Sequence, residues 1–196
     1  MKNADITAST LVQESLLRQE GTKVLQQAKI IECIEKHSLK YTFVGSYSSK
    51  TMVWPDIDIC ICLHYSQKHL IKEIVNDLFD RDNMVKIVIK DEYHKIEGNR
   101  GAFYIGAIYF YPETQRIWKI DIKGVPPEKY NIMLYKKKNI SLMDERQRQL
   151  IIEAKKLYSE YVDGFFRPPK SVSHKIQELV LVNKCSSINE IKERLV

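Results

Sequence analysis

Between Val44 and Leu63 the chain reads V-G-S-Y-S-S-K-T-M-V-W-P-D-I-D-I-C-I-C-L, and Asp56 and Asp58 alternate there with Ile57 and Ile59. On a strand, successive side chains point to opposite faces, so Asp56, Asp58, Cys60 and Cys62 share one face and the isoleucines the other. Aspartate is depleted in strands, and two carboxylates about 7 Å apart on one face repel each other. A divalent cation relieves that repulsion, and Mg²⁺ favours carboxylate oxygens combined with substrate phosphates. Two neighbours sharpen the reading. Gly45-Ser46 follows a short apolar stretch, where glycine permits a tight turn and serine with nearby N–H groups can hold phosphate. Asp121 is a lone acid between Ile120 and Ile122. A strand bringing it beside the pair gives three carboxylates, enough to hold two metal ions and accept a proton from an attacking hydroxyl.

Those residues need a sheet to hold them. Short runs rich in branched and aromatic residues predict strands over 41–44, 57–63, 84–90, 102–111 and 116–123. Residues 1–40 carry apolar positions every three or four residues and read as helix, with a break or kink at Gly21. A second helix is expected over 66–79, capped by Ser66. Beyond Pro126-Pro127 the strand signal stops. A helix opening at Ser141 or Asp144 and running to about Val162 is expected, then Pro168-Pro169 as punctuation and helices over 173–182 and 188–195. The layout is α+β: a mixed sheet core with N-terminal helices in 1–135, followed by a C-terminal helical segment in 136–196.

Composition sets the background. With 196 residues, 44% hydrophobic and 29% charged, the chain is of ordinary globular type and can bury a core without staples. No apolar run approaches the roughly 20 residues of a membrane helix, and the first ten residues lack the apolar stretch of a secretory signal. Cys33, Cys60, Cys62 and Cys185 show no zinc spacing and read as reduced thiols, which points to the cytoplasm and away from a membrane. The net charge of +6 is concentrated late: residues 136–196 hold thirteen Lys and Arg against eight Asp and Glu. That excess, starting at Lys136-Lys137-Lys138, suits a triphosphate or a nucleic acid.

Strand, Gly-Ser, nine residues, Asp-hydrophobic-Asp, then a distant hydrophobic-Asp-hydrophobic strand resembles the DNA polymerase β-type nucleotidyltransferase superfamily over about residues 41–123. In size the chain is similar to the small antibiotic and minimal nucleotidyltransferases. Tyr47-Ser48-Ser49-Lys50 and Pro55 depart from the small members' usual pattern and leave the subfamily open. The resemblance implies a Mg²⁺-dependent enzyme with two ions, transferring a nucleoside monophosphate from a nucleoside triphosphate such as ATP and releasing pyrophosphate. By it, Asp56, Asp58 and Asp121 are the catalytic and metal-binding acids, with Asp121 as general base, and Gly45 and Ser46 form the phosphate turn. Tyr47 and Lys50 follow that turn as expected nucleotide contacts. Arg148 and Lys155, seven residues apart on one helical face, are expected to meet the triphosphate. The expected acceptor is a hydroxyl on a small molecule such as an antibiotic. Alternatives are transfer to RNA or protein, with nucleic acid held by the basic C-terminal segment, or an inactive binding or antitoxin-like module; a homodimer is a further expectation.

Overall fold

The structure, a computed structural model, describes residues 2–93, 101–162, 165–167 and 169–195. The first proline of the Pro168-Pro169 punctuation lies outside the described residues. The core is a five-stranded mixed sheet of β1 (Tyr41–Val44), β2 (Asp56–Cys62), β3 (Met84–Asp91), β4 (Phe103–Tyr111) and β5 (Arg116–Val125), in the order β1-β2-β5-β4-β3. Only β2 and β5 pair in parallel; the other neighbours are antiparallel. The expected strands are therefore present, each within two residues of its expected ends.

Alternation in the sequence fixes the faces of this sheet. Ile57, Ile59 and Ile61 on β2, Trp118, Ile120 and Ile122 on β5, and Phe103, Ile105, Ala107 and Tyr109 on β4 are all buried. Their sheet face meets the last turns of α1 (Lys2–Gln27), and α4 (Lys68–Phe79) packs on β3 and β4, with α2 (Ile30–Lys36) against α4. Gly21 is not a break: α1 runs through it without interruption. A Cβ there would lie 2.9 Å from the Trp118 ring, so the glycine clears space for the largest side chain of the core. One residue earlier, Glu20 accepts hydrogen bonds from Trp118 Nε1 at 2.8 Å and Arg116 Nη1 at 2.8 Å. The helix costs about 1 kcal/mol for its glycine, which this close packing offsets.

Three further expectations are corrected. Ser66 does not cap α4; it lies within a short 3-10 turn, Tyr65–Gln67, and Gln67 is the residue before the helix. Residues 127–141 form α5 (Pro127–Ser141), whose first part, ahead of the helical segment expected from 136, was not expected as helix. Pro127 supplies the fixed φ suited to a first helical position, but only Tyr130 is buried, so there is no apolar stripe to read. Asp144, not Ser141, opens α6 (Glu145–Leu157): its side chain accepts from the Gln147 backbone N–H at 2.8 Å, and Gln147 returns a bond to the Asp144 N–H. That helix ends at Leu157 rather than Val162, and β6 (Glu160–Val162) pairs with β7 (Phe165–Arg167).

The chain divides into two compact units. One comprises Gln19–Ser48 and Pro55–Lys137 and contains the five-stranded sheet; the other comprises Met1–Arg18, Ser49–Trp54 and Lys138–Val196. In the second, α6, α7 (Lys170–Leu181) and α8 (Ile188–Leu195) enclose a core of Leu150, Ile151, Ala154, Ile176, Val180, Cys185 and Ile191. The four cysteines are free thiols. No helix among the described residues is long and apolar enough to cross a membrane.

Candidate active site

The parallel pairing of β2 with β5 sets Asp58 opposite Asp121 and Asp56 opposite Lys119. Residues paired across neighbouring strands point to the same face, so all four side chains stand on the sheet face opposite the isoleucine core. One carboxylate oxygen from each of Asp56, Asp58 and Asp121 lies within 4.8 Å of the others. Asp121 is the most enclosed of the three, at 8% exposure.

Gly45 makes room for this cluster. Val44 pairs with Asp58 across β1 and β2, and the chain then turns into α3 (Gly45–Ser49) with Gly45 at φ +63°. That left-handed backbone favours glycine. A Cβ at this position would collide with the Asp58 carboxylate at Oδ2. Glycine therefore serves both the turn and the acid beside it. Three hard oxygens converging beside a position kept clear of side-chain atoms suit a hard divalent cation such as Mg²⁺.

Two residues of this site escaped the sequence reading. Lys119 Nζ donates to Asp121 Oδ2 at 2.5 Å and lies 3.5 Å from Asp56 Oδ1. Burial alone would lower the pKa of this ammonium, but the Asp56 and Asp121 carboxylates outweigh it and raise the pKa above its usual value. Tyr104 on β4 donates its hydroxyl proton to Asp121 Oδ1 at 2.8 Å; burial, then the Asp121 charge, holds its phenol well above the ordinary pKa. Gly106, opposite Asp121 on β4, lets the tyrosine lie across the strand, since a Cβ there would sit 2.5 Å from the Tyr104 hydroxyl. Both signals existed in the sequence, as Lys-x-Asp and Tyr-x-Gly at strand spacing, but only the register gives them partners. Farther along β2, Cys60 is buried and its thiol is pushed up to about 12, chiefly by burial and against the pull of Lys123.

The other expected contacts are placed as follows. Ser46 is half-buried on α3, one residue beyond the glycine. Tyr47 shares a hydrogen bond of 2.9 Å with Thr22 of α1, and its ring lies 5.0 Å from that of Phe43. Lys50, Arg148 and Lys155 belong to the unit with the C-terminal helices, whereas the acids, Gly45, Ser46 and Tyr47 belong to the unit with the sheet. Lys155 is fully buried; its ammonium donates to the Thr51 carbonyl at 3.2 Å and hydroxyl at 3.1 Å, and lies 5.9 Å from the Trp54 ring centre.

The sheet order and the three acids on one face are consistent with a nucleotidyltransferase-like fold. The chain is similar to the structure of Cid1 described for its RNA terminal uridylyl transferase activity, at 13% identity and TM-score 0.57, over 91% of this chain and 52% of that one. It is also similar to the non-canonical poly(A) polymerase complex GLD-2–GLD-3, at 12% identity and TM-score 0.54, over 90% and 56%. A third similarity is to the Cid1 poly(U) polymerase with MgGTP bound, at 11% and 0.52, over 76% and 46%. The chain thus spans about half the length of these structures. No protein-family model matches the chain, and no curated protein sequence does.

Proposed function

We infer that the chain is a divalent-metal-dependent nucleotidyltransferase acting on the 3′ hydroxyl of RNA. The observation that carries the chemistry is the carboxylate cluster of Asp56, Asp58 and Asp121 beside a glycine with no space for a side chain. The RNA acceptor is supported by the fold relatives, described as poly(U) and poly(A) polymerases and as an RNA terminal uridylyl transferase.

Mg²⁺, two ions in the full reading, would supply charge neutralisation at the triphosphate, ATP being the expected donor. Asp56 and Asp58 would hold the metal, and Asp121 would complete the ligand set. Asp121 takes the proton as the acceptor oxygen forms its bond to the α-phosphorus; the bond from that phosphorus to the bridging oxygen breaks, and pyrophosphate leaves with the electron pair. Ser46 holds the departing phosphates through its hydroxyl. Positioning and charge neutralisation do the catalytic work, because phosphoryl transfer asks for little else.

The test is incubation of the full chain with Mg²⁺ and each α-labelled nucleoside triphosphate. A short 3′-hydroxyl RNA, or a panel of small hydroxyl compounds including aminoglycosides, serves as acceptor. Mass spectrometry of the products then reads the acceptor. RNA longer by one or more nucleotides, with matching pyrophosphate, is expected. Labelled small molecules with unextended RNA would move the acceptor to the small-molecule class, and no transfer to anything would leave a binding module.

A further inference from the structure

The face of the sheet that carries the acids has a regular layout. Register across β3, β4, β5 and β2 sets out three rows: Lys86–Ile108–Lys119–Asp56, Val88–Gly106–Asp121–Asp58, and Lys90–Tyr104–Lys123–Cys60. On β3 and β4 the middle row carries only Val88 and Gly106, and it then meets the proposed general base, Asp121, on β5. The rows on either side both begin with a lysine on β3, the edge strand.

Lys86 and Lys90 are exposed, and neither belongs to an ion pair among the described residues. The neighbouring acid, Asp91, bonds instead to Lys68. Edge strands carry lysines to discourage pairing with other sheets, and either face serves that purpose. Here both ammonium groups stand on the face of Asp121. Four residues of strand separate them by about 13 Å, and two strand spacings separate them from β5 by about 10 Å. Two positive charges with no carboxylate partner among the described residues thus flank a lane that leads to the base. Beside it Tyr104 offers an aromatic face, with Lys90 Nζ 5.4 Å from its ring centre. Cations that track a backbone, together with an aromatic ring on which a base stacks, are the elements of single-strand binding.

We propose that this lane binds the 3′ end of single-stranded RNA, with Lys86 and Lys90 on backbone phosphates and the terminal base against Tyr104. The proposal rests on the nucleotidyltransferase reading for the role of the 3′ end, and it assigns nucleic-acid binding to β3 rather than to the Lys136-Lys137-Lys138 run.

The experiment measures fluorescence anisotropy of a labelled single-stranded RNA ending in a 3′-deoxy nucleotide, across a salt series, with the full chain. Three proteins are compared: wild type, Lys86→Gln/Lys90→Gln, and Lys136→Gln/Lys138→Gln. Each lost phosphate contact lowers the slope of log affinity against log salt by about 0.7 for a single strand. The β3 variant should therefore lose about 1.4 from its slope, while its melting temperature and its stabilisation by MgATP stay at the wild-type values. The second variant should keep the wild-type slope. An unchanged slope in the β3 variant overturns the lane, as does a wild type that does not bind RNA. Loss of MgATP stabilisation in the β3 variant also overturns it, because the lysines would then serve the triphosphate. Binding of a non-extendable strand requires no chemistry, so absence of transfer refutes the enzymatic reading without touching this result. Transfer to RNA with an unaltered slope does the reverse.

Discussion

Lys119 and Asp121 stand two residues apart on one strand, and the ammonium of the first lies 2.5 Å from a carboxylate oxygen of the second. The same ammonium reaches toward Asp56 at 3.5 Å. One lysine thus answers part of the repulsion among three acids, in the place where a divalent cation would also act. Replacing it by the similarly long Met should leave the acids under-compensated. Breaking a fully buried ion pair costs about 3–5 kcal/mol. With the lysine side chain 25% exposed, a loss of roughly 2 kcal/mol is expected, read by chemical denaturation without metal. Mg²⁺ should then stabilise Lys119→Met more than wild type. Equal stabilisation of the two would show that the lysine does not compete for the acids.

Gly45 gives a second prediction. Alanine there must adopt φ near +63° and displace the Asp58 carboxylate. The left-handed backbone alone costs about 1–2 kcal/mol, and the displaced acid should abolish stabilisation by Mg²⁺ with nucleotide. Thermal melting of Gly45→Ala with and without MgATP reads both effects. A variant that melts lower yet keeps the full ligand shift would separate the turn from the metal site.

Much of this site was legible because strands have period two. Ile57, Ile59 and Ile61 against Asp56, Asp58 and Cys60 can lie only one way on a half-buried strand, and Ile120-Asp121-Ile122 repeats the pattern. Gly45-Ser46 after an apolar run gave the turn. Lys119 and Tyr104 were missed because their partners are set by strand order and register, which no local pattern encodes. The Gly21 misreading has a similar origin: a helical glycine looks like a break until the Trp118 ring beside it is known. Residues 127–141 lacked an apolar stripe, and β6 and β7 are three residues each, too short for any period to show.

Asp121→Asn tests the proton step separately from binding. It should keep most affinity for nucleotide and lose transfer by roughly 10²–10⁴-fold if only general-base assistance goes, and more if a metal contact goes with it. Single-turnover rates at saturating MgATP are the measure. Near-normal turnover would remove Asp121 from the chemistry.

The acid limb of stability should depend on Asp77. Its hydrogen bond from Lys36 at 2.7 Å, with a lesser one from His37, holds the Asp77 carboxyl below its usual pKa against the opposing effect of burial. A carboxyl whose pKa is lowered by folding contributes stability above its unfolded value of about 3.9, and loses it as pH falls through the lower folded value. Denaturation from pH 6 down to pH 2.5 should therefore fall less steeply for Asp77→Asn than for wild type below about pH 4. Parallel curves would mean that the Lys36–Asp77 pair contributes nothing to the fold.

The most direct measurement is thermal melting with Mg²⁺ and a non-hydrolysable ATP analogue, because it does not depend on which acceptor the enzyme uses. Wild type should be stabilised more by the two together than by either alone. At about 100 times the dissociation constant the gain is about 2.7 kcal/mol. Asp58→Asn, which removes one acid of the cluster and retains its shape, should lose that joint stabilisation. An equal shift in wild type and Asp58→Asn would contradict the assignment of Asp56, Asp58 and Asp121 as the metal and nucleotide site.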